Sequence, residues 1–133
     1  MRTRLAISVI MGTLVAASVQ ASDRFDGVYK QTAVGDCTRV GEDGGALKIE
    51  KGVFYGVNTS CRMSNPVDVR DMNAFLYDME CDVEESVWTE RALLMAAPDG
   101  GLIMVWNGYA FKYNRCTEAD LVQDALEFIS PAP

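Results

Sequence analysis

Four acidic residues at two-residue spacing, Asp78, Glu80, Asp82 and Glu84, form the densest run of ionisable groups in the chain, and Glu85 follows them. On a strand, side chains two apart share a face and stand about 6.5–7 Å from each other. Such a row offers a docking surface to a basic protein, against the simpler reading of a solvated strand face. It suits calcium poorly, because that ion wants several oxygens converging at about 2.4 Å, usually from a curved loop. Asp68 and Asp71 flank Arg70, and paired carboxylates can serve glycoside hydrolysis. No cleft signal accompanies them, so this stretch reads as a turn. For nucleophilic catalysis, Ser60, Ser64 and Ser86 have no base to activate them, since the 133 residues contain no histidine. There is no Gly-x-Ser-x-Gly elbow, no P-loop and no Gly-x-Gly-x-x-Gly cradle. The inventory points away from an enzyme and implies no cofactor and no metal site.

The compartment is read from the first 21 residues. Arg2 and Arg4 form a basic head, Leu5 to Ala17 is an almost unbroken apolar run, and Val19-Gln20-Ala21 offers small residues at a cleavage site. That is the layout of a secretory signal peptide, too short to span a membrane comfortably. The expected mature chain, Ser22–Pro133, is one domain in the periplasm or outside the cell, with no membrane span. Arg2 and Arg4 leave with the signal, so 12 basic residues become 10 against 19 acidic ones, and the formal charge of −7 becomes −9. Such a surface repels phosphate backbones and anionic lipid, which argues against nucleic acid and membrane-surface partners. Four cysteines remain, Cys37, Cys61, Cys81 and Cys116. None forms C-x-x-C, and an even count in an exported chain reads as two disulfides.

The elements that must carry these residues are strands. Glu42-Asp43-Gly44-Gly45, Lys51-Gly52, Asn65-Pro66, Pro98-Asp99-Gly100-Gly101 and Asn107-Gly108 are turn signals. Between them lie seven β-rich runs, Phe25–Thr32, Ala46–Lys51, Val53–Arg62, Met72–Val83, Val87–Ala97, Leu102–Asn107 and Tyr109–Cys116. This predicts an antiparallel meander, mainly β, closed into a small barrel of seven to eight strands, because closure protects the edges. Three pairings are possible; a hairpin turning near Asp68–Asp71 would set Cys61 opposite Cys81, which favours 61–81 with 37–116 across the closure. Phe75, Tyr77, Met79, Cys81 and Val83 alternate with the acidic row and face inward, as do Tyr109, Phe111 and Tyr113. Tyr77, Met79, Trp106 and Phe111 are therefore candidates to line an interior cavity, unless they simply fill it. Leu93-Leu94-Met95 and Leu102–Trp106 are apolar on both faces. Thr117 followed by Glu118 and Asp120 resembles a capping box, and Leu121, Val122, Ala125, Leu126 and Ile129 recur at helical spacing. This predicts one amphipathic helix over about 117–130, laid on the outside of the barrel as a cover for that hairpin.

Gly27-Val28-Tyr29, a cysteine ten residues on, Cys61-Arg62, Cys81 and Tyr113-Asn114-Arg115-Cys116 resemble a pattern of small, disulfide-closed exported proteins of Gram-negative bacteria. The resemblance covers Gly27 to Cys116 and implies a β-barrel and an envelope location, without an activity. Inhibitors of c-type lysozyme are similar in size and compartment. Their Ser-Gly-x-x-Tyr loop has no counterpart here, since Asn107-Gly108-Tyr109 lacks both the serine and the spacing.

The leading functional expectation is a non-catalytic binding protein that docks or inhibits a basic envelope protein through the acidic row. The alternatives are a lipocalin-like carrier of a small apolar ligand and a structural module of an envelope assembly.

Overall fold

A computed structural model describes residues 24–129 together with Gly12, so apart from Gly12 the expected signal peptide lies outside the described residues. Eight strands follow one another: β1 (Gly27–Lys30), β2 (Ala46–Glu50), β3 (Val53–Gly56), β4 (Thr59–Asp68), β5 (Ala74–Val83), β6 (Ser86–Ala96), β7 (Leu102–Trp106) and β8 (Tyr109–Tyr113). They form one antiparallel sheet in chain order, curled into a nearly closed barrel, with helix α1 (Glu118–Ile129) at the end. The mainly β meander with one C-terminal helix is as the sequence predicted.

Local backbone chemistry sets the strand boundaries. Lys51 and Gly52 both have positive φ, +50° and +76°, which lets two residues join β2 to β3 with the twist a hairpin needs. The run Val53–Arg62 is two strands rather than one: Val57 and Asn58 form a two-residue turn between Gly56 and Thr59, with Asn58 at φ +50°. The Asn65-Pro66 signal is not a turn. It is a bulge within β4, where the register steps from Ser64 opposite Asp78 to Val67 opposite Leu76. Asn65 takes φ +50° there, and the extra residue frees Pro66 from donating to the ladder.

Closure comes from the two ends of the sheet. The Lys30 N–H donates to the Asn114 carbonyl and the residue 116 N–H to the Val28 carbonyl, each at 2.8 Å, and Tyr29 bridges to Arg115. Gly27 makes room for this contact, since a Cβ there would stand 2.7 Å from Arg115 Nη2. The guanidinium donates to the Asp26 carbonyl at 2.8 Å and lies over the Tyr29 ring. Gly27-Val28-Tyr29 and Asn114-Arg115-Cys116 of the resemblance pattern are therefore the seam of the barrel, whereas its Cys61-Arg62 and Cys81 lie on β4 and β5. The Cys37–Cys116 disulfide fastens the same seam, and Cys61–Cys81 joins directly opposed residues of β4 and β5. Both expected pairings are present.

Inside, Phe25, Tyr29, Ile49, Met79, Leu94 and Met104 form one packed core with both cysteines of the β4–β5 bond. Outside, α1 is capped as expected: Asp120 N–H donates to Thr117 Oγ1 at 3.2 Å, and Asp120 Oδ2 accepts from the Thr117 N–H at 2.8 Å. The expected cover is not formed. Leu121, Val122 and Leu126 are 41%, 59% and 60% exposed, and Val105 on the doubly apolar hairpin is exposed as well. Cys116 is bonded to Cys37, and Lys30 holds Asp120 at 2.7 Å, so the first turn of α1 is fixed at the β1–β8 seam instead of over β6 and β7.

Candidate functional site

The acidic row divides into two parts. Asp78, Glu80 and Asp82 lie on the outer face of β5, whereas Glu84 leaves it: with φ +54° it occupies the two-residue turn that joins Val83 to Ser86. Cross-strand neighbours neutralise the inner half. Arg62, opposite Glu80, donates to it from Nε at 2.8 Å. Asp78 accepts from Asn65 at 2.9 Å and from Arg91 at 3.2 Å, and these bonds, Asn65 first, hold its carboxyl below the usual range. Two shallow grooves of about 480 and 400 Å³ run over this face, with Glu80 at the border of both. Among the described residues, Asp82 and Glu84 form no ion pair, so the unpaired charge of this row sits at the far end of the β5–β6 hairpin.

The four cavity candidates also divide. Tyr77 and Met79 are 1% and 0% exposed, and the Tyr77 ring meets Phe25 and Phe75 at 6.3 Å. Burial pushes the Tyr77 hydroxyl up to about 12, with Arg24 opposing the shift, and that hydroxyl has no hydrogen-bond partner among the described residues. Here the inner wall is filled.

Trp106 and Phe111 instead border an opening. After Lys30 the chain turns away from β8: the Gln31 N–H donates to the Gly45 carbonyl, and Gly35 closes a turn on Thr32. β8 is left without its neighbour, and a cleft of about 350 Å³ opens between β8 and the β2–β3 hairpin. Its wall is Leu47, Phe54, Val57, Trp106, Phe111 and Tyr113, with Gln31, Thr32 and Thr59 as further polar side chains. No charged side chain lines it among the described residues. Trp106 anchors the wall against Phe54 at 6.2 Å and Trp88 at 6.0 Å. Along β8 the rings of Tyr109, Phe111 and Tyr113 stand nearly parallel, with Tyr109 67% and Phe111 44% exposed. Burial raises the Tyr113 hydroxyl above its ordinary value, so it stays protonated at neutral pH.

Period-two alternation singled out Phe111, whereas Trp106 came from the run that is apolar on both faces; both line this cleft. Phe54, Gln31 and Thr32 were missed, because their place in the wall depends on where the chain leaves β1, which no local pattern encodes. Among the described residues, no group of three or more potential metal-ligating side chains converges, and no helix is long and apolar enough to cross a membrane. The cleft can hold an uncharged apolar or aromatic group against rings and give it a few hydrogen bonds. No protein-family model, no curated protein and no solved structure matches this chain.

Proposed function

We propose that this chain is a non-catalytic binding protein of the periplasm or extracellular space, and that its ligand places an apolar or aromatic group in the cleft between β8 and β2–β3. The observation that carries this reading is an uncharged, aromatic-walled opening where the chain leaves β8 after Lys30, on a scaffold fastened by two disulfides. Two disulfides fit an oxidising compartment. At about 350 Å³ the cleft is near the lower limit of ligand pockets, and the packing of Tyr77 and Met79 keeps the ligand at the wall instead of in a lipocalin-like interior. Burying ~150 Å² of an aromatic group gains about 4 kcal/mol, which alone corresponds to millimolar binding. A ligand held more tightly needs further contacts beside the cleft.

Docking of a basic protein is a second reading, favoured by the unpaired charges of Asp82 and Glu84 at the tip of the β5–β6 hairpin. Native mass spectrometry of the protein purified from its host's envelope separates the two. The cleft reading expects a bound species that is retained in Asp82→Lys and falls at least tenfold in Phe111→Ser. A species lost in Asp82→Lys and kept in Phe111→Ser would overturn it in favour of acidic docking.

A further inference from the structure

The contacts that the cleft alone lacks are available on the adjoining backbone. We infer that the ligand is an extended polypeptide segment that adds to the free edge of β8 as a further antiparallel strand, taking the position that β1 vacates after Lys30. This inference rests on the cleft reading and specifies its ligand.

Hydrogen-bond alternation identifies the groups involved. The two-residue turn Asn107-Gly108 closes on the pair Trp106–Tyr109, which makes that pair, and then Met104–Phe111 and Leu102–Tyr113, the hydrogen-bonded pairs between β7 and β8. Ala110 and Lys112 fall between them, so their N–H and C=O groups point to the opposite edge. The same parity continues at Asn114 and residue 116, and those two do bond to β1, through the Asn114 carbonyl and the residue 116 N–H. Four backbone groups of Ala110 and Lys112 remain without a backbone partner among the described residues. An exposed edge of this kind recruits strands, and main-chain pairing with alternate side chains in pockets is an established mode of peptide recognition.

The side-chain chemistry of the segment follows from the same register. Residues opposite Phe111 and Tyr113 point into the cleft and must be apolar or aromatic. Those opposite Ala110 and Lys112 point outward, where the Lys112 ammonium is already paired with Asp99, so a polar neighbour suffices. An alternating apolar–polar segment without proline therefore fits, and the uncharged cleft disfavours an inward charge.

The test uses the full chain with both disulfides intact, panned against a phage-displayed library of random heptapeptides, with the selected peptides then synthesised. Ala110→Pro removes one edge N–H without touching the β7 ladder, a position where an edge strand tolerates proline. The expected peptides alternate apolar and polar residues, bind Ala110→Pro at least tenfold more weakly, and slow amide exchange at Ala110 and Lys112 of the unmodified chain. Peptides that bind Ala110→Pro as tightly but are weakened by Phe111→Ser, with exchange at Ala110 and Lys112 unchanged, would overturn strand addition and leave the cleft reading standing. Peptides indifferent to both substitutions would overturn both readings, and a library yielding no binder would overturn strand addition.

Discussion

Cutting the Cys37–Cys116 bond tests how much of the barrel's stability comes from its seam. The bond spans 79 residues, and the chain-entropy relation assigns a loop of that length about 4.5 kcal/mol. The Cys61–Cys81 loop of 20 residues gives about 3.3 kcal/mol by the same relation, and both of its sulfurs lie in the core, so its removal adds a packing loss of about 1 kcal/mol. Domains of this size fold with only about 5–15 kcal/mol, so either double-alanine variant is left with a small margin. What distinguishes them is location. Two backbone hydrogen bonds, each worth about 1 kcal/mol, still hold the seam once Cys37→Ala/Cys116→Ala has removed its covalent fastening. Urea unfolding of the wild type and both variants, fitted for free energy and m together, is the assay, because freeing a long loop also expands the denatured chain and raises m. The expected loss for Cys37→Ala/Cys116→Ala is about 4–5 kcal/mol with a larger m, together with faster amide exchange at Lys30 and residue 116. A loss below about 1.5 kcal/mol with m unchanged would refute the claim that this bond constrains the unfolded chain and closes the barrel.

Two titratable groups give predictions of opposite pH sense. The Tyr77 hydroxyl is raised to about 12 by burial, so the unfolded chain releases that proton first and stability falls as pH climbs from about 10 to 12. Tyr77→Phe removes an unpartnered buried hydroxyl, so stability at pH 7 should hold or rise by about 1 kcal/mol and the alkaline slope should flatten; a loss above about 1 kcal/mol in urea would show that the hydroxyl is satisfied. Asp120 is depressed to about 2 by its bond from Lys30 and by those from Thr117, so its contribution is complete above about pH 4 and is lost as pH falls toward 2. Far-UV circular dichroism should show helix signal fading across that interval while strand signal persists, and an unchanged helix signal would contradict the cap.

Where the sequence was legible, the deciding physics was local or covalent. Thr117 and Asp120 cap α1 because a hydroxyl and a carboxylate three residues apart can satisfy each other's backbone groups. Cys61 and Cys81 were paired correctly because a hairpin's register follows from its turn, and the remaining pair had no other choice. Val57-Asn58 escaped notice because the turn needs a single residue at positive φ and valine hides it within a β-rich run. Asn65-Pro66 carries the composition of a turn, but a bulge uses the same two properties, a positive φ and a missing donor. Leu121, Val122 and Leu126 of helix α1 stay exposed because a salt bridge and a disulfide at the seam, 90 and 79 residues apart in sequence, decide where the helix starts. The acidic row was visible as a pattern, yet its neutralisation by Arg62 and Arg91 depends on register across three strands.

The most direct test of the cleft as the binding site is photocrosslinking in the living host. A photoreactive amino acid replaces Phe111 in one version of the chain and Asp82 in another, and adducts are resolved by mass. A discrete adduct from position 111 and none from position 82 is the predicted result. An adduct from position 82 alone would contradict the cleft and place recognition on the acidic hairpin tip.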